Sequence, residues 1–187
     1  MPDYALQSSS RIEAPFESAR VLIVDDEYYI RKAIRALLLS IGVADIHDAA
    51  DGPAGLEAIR SLAPDIVLLD WEMPGMDGAE FTRRVRSPDT FAYPSVPIIM
   101  LSGRGERSHV LEAVRLGVHE FLLKPVSSDA LFARIASVFS KPRPMVHRGD
   151  YYGPEPRQLA AYKAGADGYN LGREPVVERS PIWRIFV

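Results

Sequence analysis

Short, unbroken apolar runs alternate with stretches of helical periodicity along residues 20–140. Four runs stop abruptly at polar or proline residues, a pattern typical of strands buried on both faces of a sheet. They cover residues 21–24, 66–69, 98–101 and 121–123. A weaker strand is predicted over residues 43–49, before the turn signal Asp51-Gly52-Pro53.

Between these runs, apolar residues recur every three or four positions, as on one face of an amphipathic helix. The first such segment covers residues 28–39, and similar faces predict helices over 53–62, around Phe81 and Val85, over 110–116 and over 128–139. Ser128 is the candidate N-cap of the last helix. Five strands alternating with five helices predict an α/β fold, a five-stranded parallel sheet with helices on both faces.

Polar residues stand where the predicted strands end. Right-handed crossovers bring the carboxyl ends of parallel strands to one edge, which is where open α/β sheets bind ligands. Any one of these residues has a plain explanation as a strand-end cap or a solvated charge, but their convergence favours a functional site. The residues that meet there are Asp25, Asp26, Asp70, Ser102 and Lys124.

The types of these residues indicate a chemistry. Three crowded carboxylates repel one another and are best stabilised by a hard divalent cation, for which Mg²⁺ is the natural candidate. Asp70 ends the central strand and is placed to attack phosphorus and form an aspartyl phosphate. Lys124 would contact one phosphoryl oxygen, and Ser102 would donate a hydrogen bond to another.

Four motifs make the chain from about Arg20 to Phe139 resemble the receiver domain of two-component response regulators. They are Val-Asp-Asp at 24–26, Leu-Asp-Trp-Glu-Met-Pro-Gly-Met-Asp-Gly at 69–78, Leu-Ser-Gly at 101–103 and Leu-Lys-Pro at 123–125. The resemblance implies the flavodoxin-like receiver fold of the stand-alone, chemotaxis type. It also implies that Asp70 accepts phosphate from a sensor histidine kinase or a histidine phosphotransfer protein.

The resemblance further implies the roles of single residues. Asp26, Asp70 and the backbone carbonyl of Glu72 would bind Mg²⁺ directly, while Asp25 would help through water. The Lys124–Pro125 peptide is the candidate cis bond.

The same resemblance implies which residues move when the receiver is phosphorylated. Ser102 would move toward the phosphoryl group and Phe121 would rotate inward behind it, although plain core packing is an alternative for Phe121. Glu72 and Arg104 occupy positions that the resemblance connects with phosphate lifetime. They form either a salt bridge across the mouth of the site or a pair of solvated surface charges.

Composition divides the chain into a flexible leader over residues 1–19, a receiver domain over 20–140 and an extended arm over 141–187. The arm has six prolines and five glycines, too many for a second sizeable core. It also carries anchors such as Tyr151, Tyr152, Trp183 and Phe186. The piece at 150–157, loosely repeated at 168–175, resembles the Tyr-x-Gly-Pro-acid-Arg tails of some stand-alone receivers. The arm would pack on its own receiver, bind a second subunit or bind a kinase or downstream protein. An arm that forms a homodimer is the favoured interpretation.

Several function classes fit less well. A net charge of −3 and an arm with one short candidate helix argue against DNA binding, although a tail that binds DNA or a separate output protein is the alternative. A haloacid dehalogenase phosphatase would need a second Asp where Glu72 stands, and no glycine-rich turn marks a dinucleotide site. A receiver that switches without phosphate is a further alternative. The chain has no cysteine and no run long enough to span a membrane, so we expect a cytoplasmic protein. The resemblance to receiver domains implies self-phosphotransfer and slow autodephosphorylation only, not an enzyme with an external product.

Overall fold

Five strands alternate with five helices, as predicted. The structure is a computed structural model and describes residue 16 and residues 18–156. The strands are β1 Arg20–Val24, β2 Asp45–Ala49, β3 Ile66–Asp70, β4 Ile98–Ser102 and β5 Glu120–Leu123. The helices are α1 Tyr28–Ser40, α2 Gly52–Leu62, α3 Gly78–Val85, α4 Arg107–Leu116 and α5 Ser128–Ser140.

The five strands form one parallel sheet in the order β2-β1-β3-β4-β5. The three inner strands are buried nearly throughout, which explains their unbroken apolar runs. In the register of the sheet, Asp70 pairs with Leu101 and Ser102 pairs with Leu123. The polar ends of β3, β4 and β5 therefore lie side by side.

Successive side chains of each strand point to opposite faces, so the sheet divides the core into two layers. Leu22, Val67 and Leu69 pack with α2, α3 and α4 on one face, where Phe81 is fully buried. The alternate positions pack with α1 and α5 on the other face, and the main residues there are Val21, Ile23, Ile66, Leu68, Ile34, Leu38, Leu131 and Ile135. The helices thus cover both faces, as predicted.

Two boundaries differ from the sequence analysis. The leader assigned to residues 1–19 includes Phe16, whose side chain is fully buried. Its ring meets that of Phe132 edge-on with centroids 5.3 Å apart and lies 6.3 Å from that of Phe139, so this residue belongs to the core. The N-cap of α5 is Ser127 and not Ser128, because the Ser127 hydroxyl accepts the hydrogen bond from the Ala130 amide.

The start of the C-terminal arm forms two strands that the sequence analysis does not predict. β6 Met145–Arg148 and β7 Tyr151–Pro154 pair antiparallel around Gly149, which has a φ of 58°. This C-terminal hairpin, residues 145–154, packs against the receiver near Gly117. The remaining anchors predicted for the arm, Trp183 and Phe186 among them, lie outside the described residues. Among residues 16 and 18–156, no helix is long and apolar enough to cross a membrane.

Candidate functional site

The polar residues predicted to converge do so at the carboxyl edge of the sheet. Asp25 directly follows β1, Asp70 ends β3 and Ser102 ends β4. Backbone hydrogen bonds extend the sheet to this point, since the Lys124 amide donates to the Ser102 carbonyl at 2.8 Å. The Asp25 amide likewise donates to the Ala49 carbonyl at 3.2 Å.

Three carboxylates form a cluster that suits a divalent cation. Asp25, Asp26 and Asp70 each offer one oxygen, and these oxygens lie within 4.8 Å of one another. Asp25 and Asp70 are buried, whereas Asp26 is exposed at the mouth. The backbone amide of Glu27 donates to Asp25 Oδ1 at 2.9 Å and fixes that carboxylate. Buried oxygen ligands with one open side fit Mg²⁺, which keeps part of its water shell.

Lys124 bridges the two buried carboxylates. Its Nζ lies 2.8 Å from Asp25 Oδ2 and 2.9 Å from Asp70 Oδ1. The Lys124–Pro125 peptide bond is cis, as predicted. One ammonium group is thus paired with two of the three carboxylates, and the cluster keeps a net negative charge that a cation would offset.

Burial sets the proton affinities within this cluster. It raises the pKa of Asp70 above its ordinary value; hydrogen bonding to Lys124 opposes the rise and the Asp25 carboxylate adds to it. For Lys124, burial alone would lower the pKa, but its bonds to Asp25 and Asp70 outweigh burial and raise it. The ammonium therefore stays charged at neutral pH, and the Asp70 carboxylate is less stabilised by solvent than an exposed one.

The two switch candidates are both buried. The Ser102 side chain is fully buried, and its Oγ accepts a hydrogen bond from the Arg104 amide at 3.0 Å. Phe121 is 3% exposed and packs in the core layer that contains Val110 and Ala113 of α4. Its ring thus already lies inward, between the sheet and the helix that follows Ser102.

Glu72 and Arg104 form an ion pair at the mouth of the site. Arg104 Nε lies 2.7 Å from Glu72 Oε1, which realises the first of the two alternatives for these residues. Their side chains are 62% and 47% exposed, for Arg104 and Glu72 respectively. Solvent screens such a pair, so its contribution to stability is small and its position over the site matters more.

Comparison with known proteins agrees with this geometry. The family model described as "Response regulator receiver domain" matches residues 21–136. The chain belongs to the response regulator receiver family. Receiver domains generally bind Mg²⁺ at an acidic pocket and interact with a histidine kinase or phosphotransfer protein. This receiver has a cluster of acidic residues, formed by Asp25, Asp26 and Asp70.

Relatives and solved structures cover the same region of the receiver. Chemotaxis protein CheY of Pseudomonas aeruginosa is 31% identical over 122 residues, which are 65% of this chain and 97% of that protein. Transcriptional regulatory protein CseB of Streptomyces avermitilis is 38% identical over 125 residues, 67% of this chain but only 51% of that protein. The structure of Vibrio cholerae CheY4 has a TM-score of 0.58 at 31% identity and covers 64% of this chain and 98% of that one. The Francisella response regulator 1452 receiver domain has a TM-score of 0.59 at 28% identity, with coverage of 65% and 97%.

Two features of the receiver site are absent from the sequence analysis. A Cβ on Gly78 would lie 2.5 Å from the Asp70 carbonyl oxygen, so only glycine lets α3 begin this close to the acidic residue. The Trp71 ring contacts the His109 ring of α4 in a tilted arrangement, with centroids 4.4 Å apart and an interplanar angle of 50°. The glycine was visible in the motif at 69–78, but the Trp71–His109 contact spans two elements and has no local sequence signal.

Proposed function

We propose that this receiver accepts a phosphoryl group on Asp70 from the phosphohistidine of a sensor histidine kinase or a histidine phosphotransfer protein. The observation that carries the proposal is the bridging of Asp25 and Asp70 by Lys124 within a cluster of three carboxylates. Such a site combines an oxygen nucleophile, a cation position and a fixed ammonium group.

The reaction would proceed by attack of an Asp70 carboxylate oxygen on phosphorus. The bond between phosphorus and the donor imidazole nitrogen breaks and its electron pair stays on that nitrogen. The other ring nitrogen of the phosphohistidine carries a proton taken from solvent, so the imidazole leaves as a neutral group. Asp26, Asp70 and the Glu72 carbonyl would hold Mg²⁺, with Asp25 acting through water, and the cation would supply charge neutralisation at the phosphoryl oxygens. Lys124 would exchange its contact with Asp70 for one phosphoryl oxygen, and the Ser102 hydroxyl would donate to another.

The output would consist of protein contacts and not of an external product. Phosphorylation would shift a two-state population toward a state in which Ser102 lies closer to the phosphoryl group and Phe121 keeps the inward position that it already has. The only chemistry expected of the receiver itself is phosphotransfer to Asp70 and slow autodephosphorylation. The proposal includes a cytoplasmic location and a homodimer assembled through the C-terminal arm.

Labelling with acetyl phosphate and Mg²⁺ tests the proposed acceptor. Wild type should gain one phosphoryl group, and Asp70→Asn should gain none. Asp77→Asn is a matched control, because Asp77 lies exposed in the same loop and an Asn keeps its N-cap bond to the Glu80 amide. Labelling of Asp70→Asn at the wild-type level would disprove the assignment of the acceptor. Wild-type labelling that is unaffected by chelation of Mg²⁺ would disprove the proposed role of the cation.

Light scattering tests the proposed dimer. The full chain is compared with a chain ending at Pro156, which keeps the whole described hairpin, each with Mg²⁺ and with or without beryllofluoride. A dimeric full chain and a monomeric truncation would support assembly through residues 157–187. Two monomers would refute the dimer, and two dimers would assign the contact to the receiver or its hairpin.

A further inference from the structure

The C-terminal hairpin docks on the segment that connects α4 with β5. We call this segment, residues 117–119, the α4–β5 joint. Gly117 has a φ of 85° and ends α4, and a Cβ built on it would lie 2.7 Å from the Tyr152 carbonyl oxygen. A Cβ on Gly153 would lie 2.6 Å from Gly117 Cα. The two backbones are therefore in direct contact, and two glycines 36 positions apart make that contact possible.

A buried arginine also binds the joint. Arg86, just after α3, is 6% exposed, and its guanidinium donates to three backbone carbonyls, those of Gly117 at 2.9 Å, Pro94 and Val96. Burial lowers its pKa to about 10, while Tyr151 and Tyr152 of the hairpin act in the opposite direction. Gly117 thus lies between a rigid arginine on one side and the hairpin backbone on the other.

Arg143 connects the residues that flank the hairpin with His119, the second end of the joint. Its guanidinium donates to the His119 carbonyl and, at 3.2 Å, to the Glu155 carbonyl. The Glu155 amide donates in turn to the Pro144 carbonyl at 2.8 Å, which closes the base of the hairpin. The hairpin contacts Gly117, and Arg143 just before the hairpin contacts His119, so both ends of the joint are held.

The joint and the phosphorylation site are connected by one short strand. β5 has four residues, with His119 of the joint before it and Lys124 of the site after it. Lys124 contacts Asp70, while its amide is held by Ser102 at the end of β4. Phe121 lies midway along this strand and packs on α4. The C-terminal end of α4 is capped by Gly117. A displacement of Lys124 or Ser102 toward a phosphoryl group would act directly on both elements that meet at the joint.

We infer that docking of the C-terminal hairpin is coupled to the phosphorylation of Asp70, and that the docked hairpin stabilises the unphosphorylated arrangement. This inference rests on the proposed function. The docked hairpin coexists with Lys124 bound to both Asp25 and Asp70, the pairing that a phosphoryl group would break. Close-packed contacts such as Gly117–Gly153 leave little room for a shift of α4 or β5, so phosphorylation weakens docking. By thermodynamic reciprocity, loss of docking must strengthen binding of a phosphoryl mimic by the same factor.

Amide hydrogen exchange on the full chain measures how a phosphoryl mimic changes the docking of the hairpin. Beryllofluoride with Mg²⁺ should speed exchange of the amides of residues 145–155 by about fivefold or more, the lower end of usual coupling energies. The wild-type comparison needs no variant and so does not depend on a mutant that folds. Unchanged or slower exchange in the hairpin, with beryllofluoride bound, would overturn the inference.

The affinity for beryllofluoride measures the reciprocal effect, that of hairpin docking on binding of the phosphoryl mimic. Trp71 fluorescence in a Trp183→Phe background reports binding, because the chain has two tryptophans. Gly153→Ala undocks the hairpin and should bind beryllofluoride more tightly, by the factor seen in exchange. Gly149→Asn is the matched control: an added Cβ there meets nothing within 4 Å, and Asn tolerates the positive φ, so its affinity should equal that of wild type.

The outcomes separate this inference from the proposed function. If beryllofluoride binds wild type but not Asp70→Asn, and Gly153→Ala exchanges faster in the hairpin without a gain in affinity, the coupling is refuted and the acceptor site stands. If wild type does not bind beryllofluoride through Asp70, the proposed function fails and the coupling fails with it.

Discussion

Replacement of Lys124 by methionine tests the electrostatic account of the site. The change keeps most of the aliphatic stem but removes the ammonium that bridges Asp25 and Asp70 at 2.8 and 2.9 Å. The side chains are 19% exposed for Lys124, 0% for Asp25 and 4% for Asp70, so two buried carboxylates would lose their main counter-charge. Breaking a buried pair in this way costs about 3–5 kcal/mol. Because Lys124 is partly exposed, we expect the lower end, about 3 kcal/mol of unfolding free energy.

Arg104→Met provides the matched control. Arg104 lies 2.7 Å from Glu72, so the two ion pairs have nearly equal lengths and differ in burial. An exposed pair contributes about 0.2–1 kcal/mol, so this variant should stay close to wild type. Urea unfolding followed by circular dichroism at pH 7, with a metal chelator present, measures both free energies.

A lower pH and added Mg²⁺ should each reduce the loss of unfolding free energy that Lys124→Met causes. The raised pKa of Lys124 means that its contribution is complete at pH 7 and is lost only as the pH rises through that pKa. As the pH falls, protonation of Asp70, whose pKa is also raised, removes the repulsion that the variant suffers. Mg²⁺ supplies a substitute cation. Equal deficits for the two variants, or a Lys124→Met deficit that Mg²⁺ enlarges, would refute the reasoning.

Three further predictions concern other parts of the receiver. Gly78→Ala should destabilise the protein by about 1–3 kcal/mol and slow labelling, because the new methyl group displaces the Asp70 peptide; Gly103→Ala, in open space, is the control, and equal effects would contradict the steric argument. Burial, with Arg86 and Arg143 nearby, lowers the pKa of His119 from 6.5 to about 2, so stability should fall by up to about 1.4 kcal/mol for each pH unit below 6.5. His119→Gln should flatten that slope, and an NMR titration of His119 near its ordinary pKa would count against this. Arg104→Ala should shorten the half-life of the phosphorylated form, measured by the decay of label, and change stability by less than about 0.5 kcal/mol; an unchanged half-life would remove Arg104 from lifetime control.

The sheet and the acidic cluster were predictable because local patterns determine them. An apolar run that stops at an acid places that acid at the end of a strand, and parallel topology then brings the ends of β1 and β3 together. Asp25, Asp70 and Ser102 all meet where this reasoning puts them. Lys124 follows β5 at the same edge of the sheet, and its side chain contacts both buried carboxylates.

Other features depend on partners distant in the chain and have no local pattern. Phe16 lies in a polar segment, and its burial depends on a site beside Phe132 and Phe139 of α5. The hairpin strands contain glycine and proline, which disfavour strands, and their position depends on the contact of Gly153 with Gly117. Glu72 and Arg104 were compatible with pairing or with solvation, and only the geometry of the two loops selects the pair.

Chemical mapping of the phosphoryl group identifies the residue that accepts it. The full chain is treated with acetyl phosphate and Mg²⁺, any acyl phosphate is reduced with borohydride, and the modified peptide is sequenced by tandem mass spectrometry. We expect modification at Asp70 alone, because this carboxylate ends the central strand beside Lys124. Modification at Asp25 or Asp26 with Asp70 untouched, or no acyl phosphate in a folded protein, would contradict it.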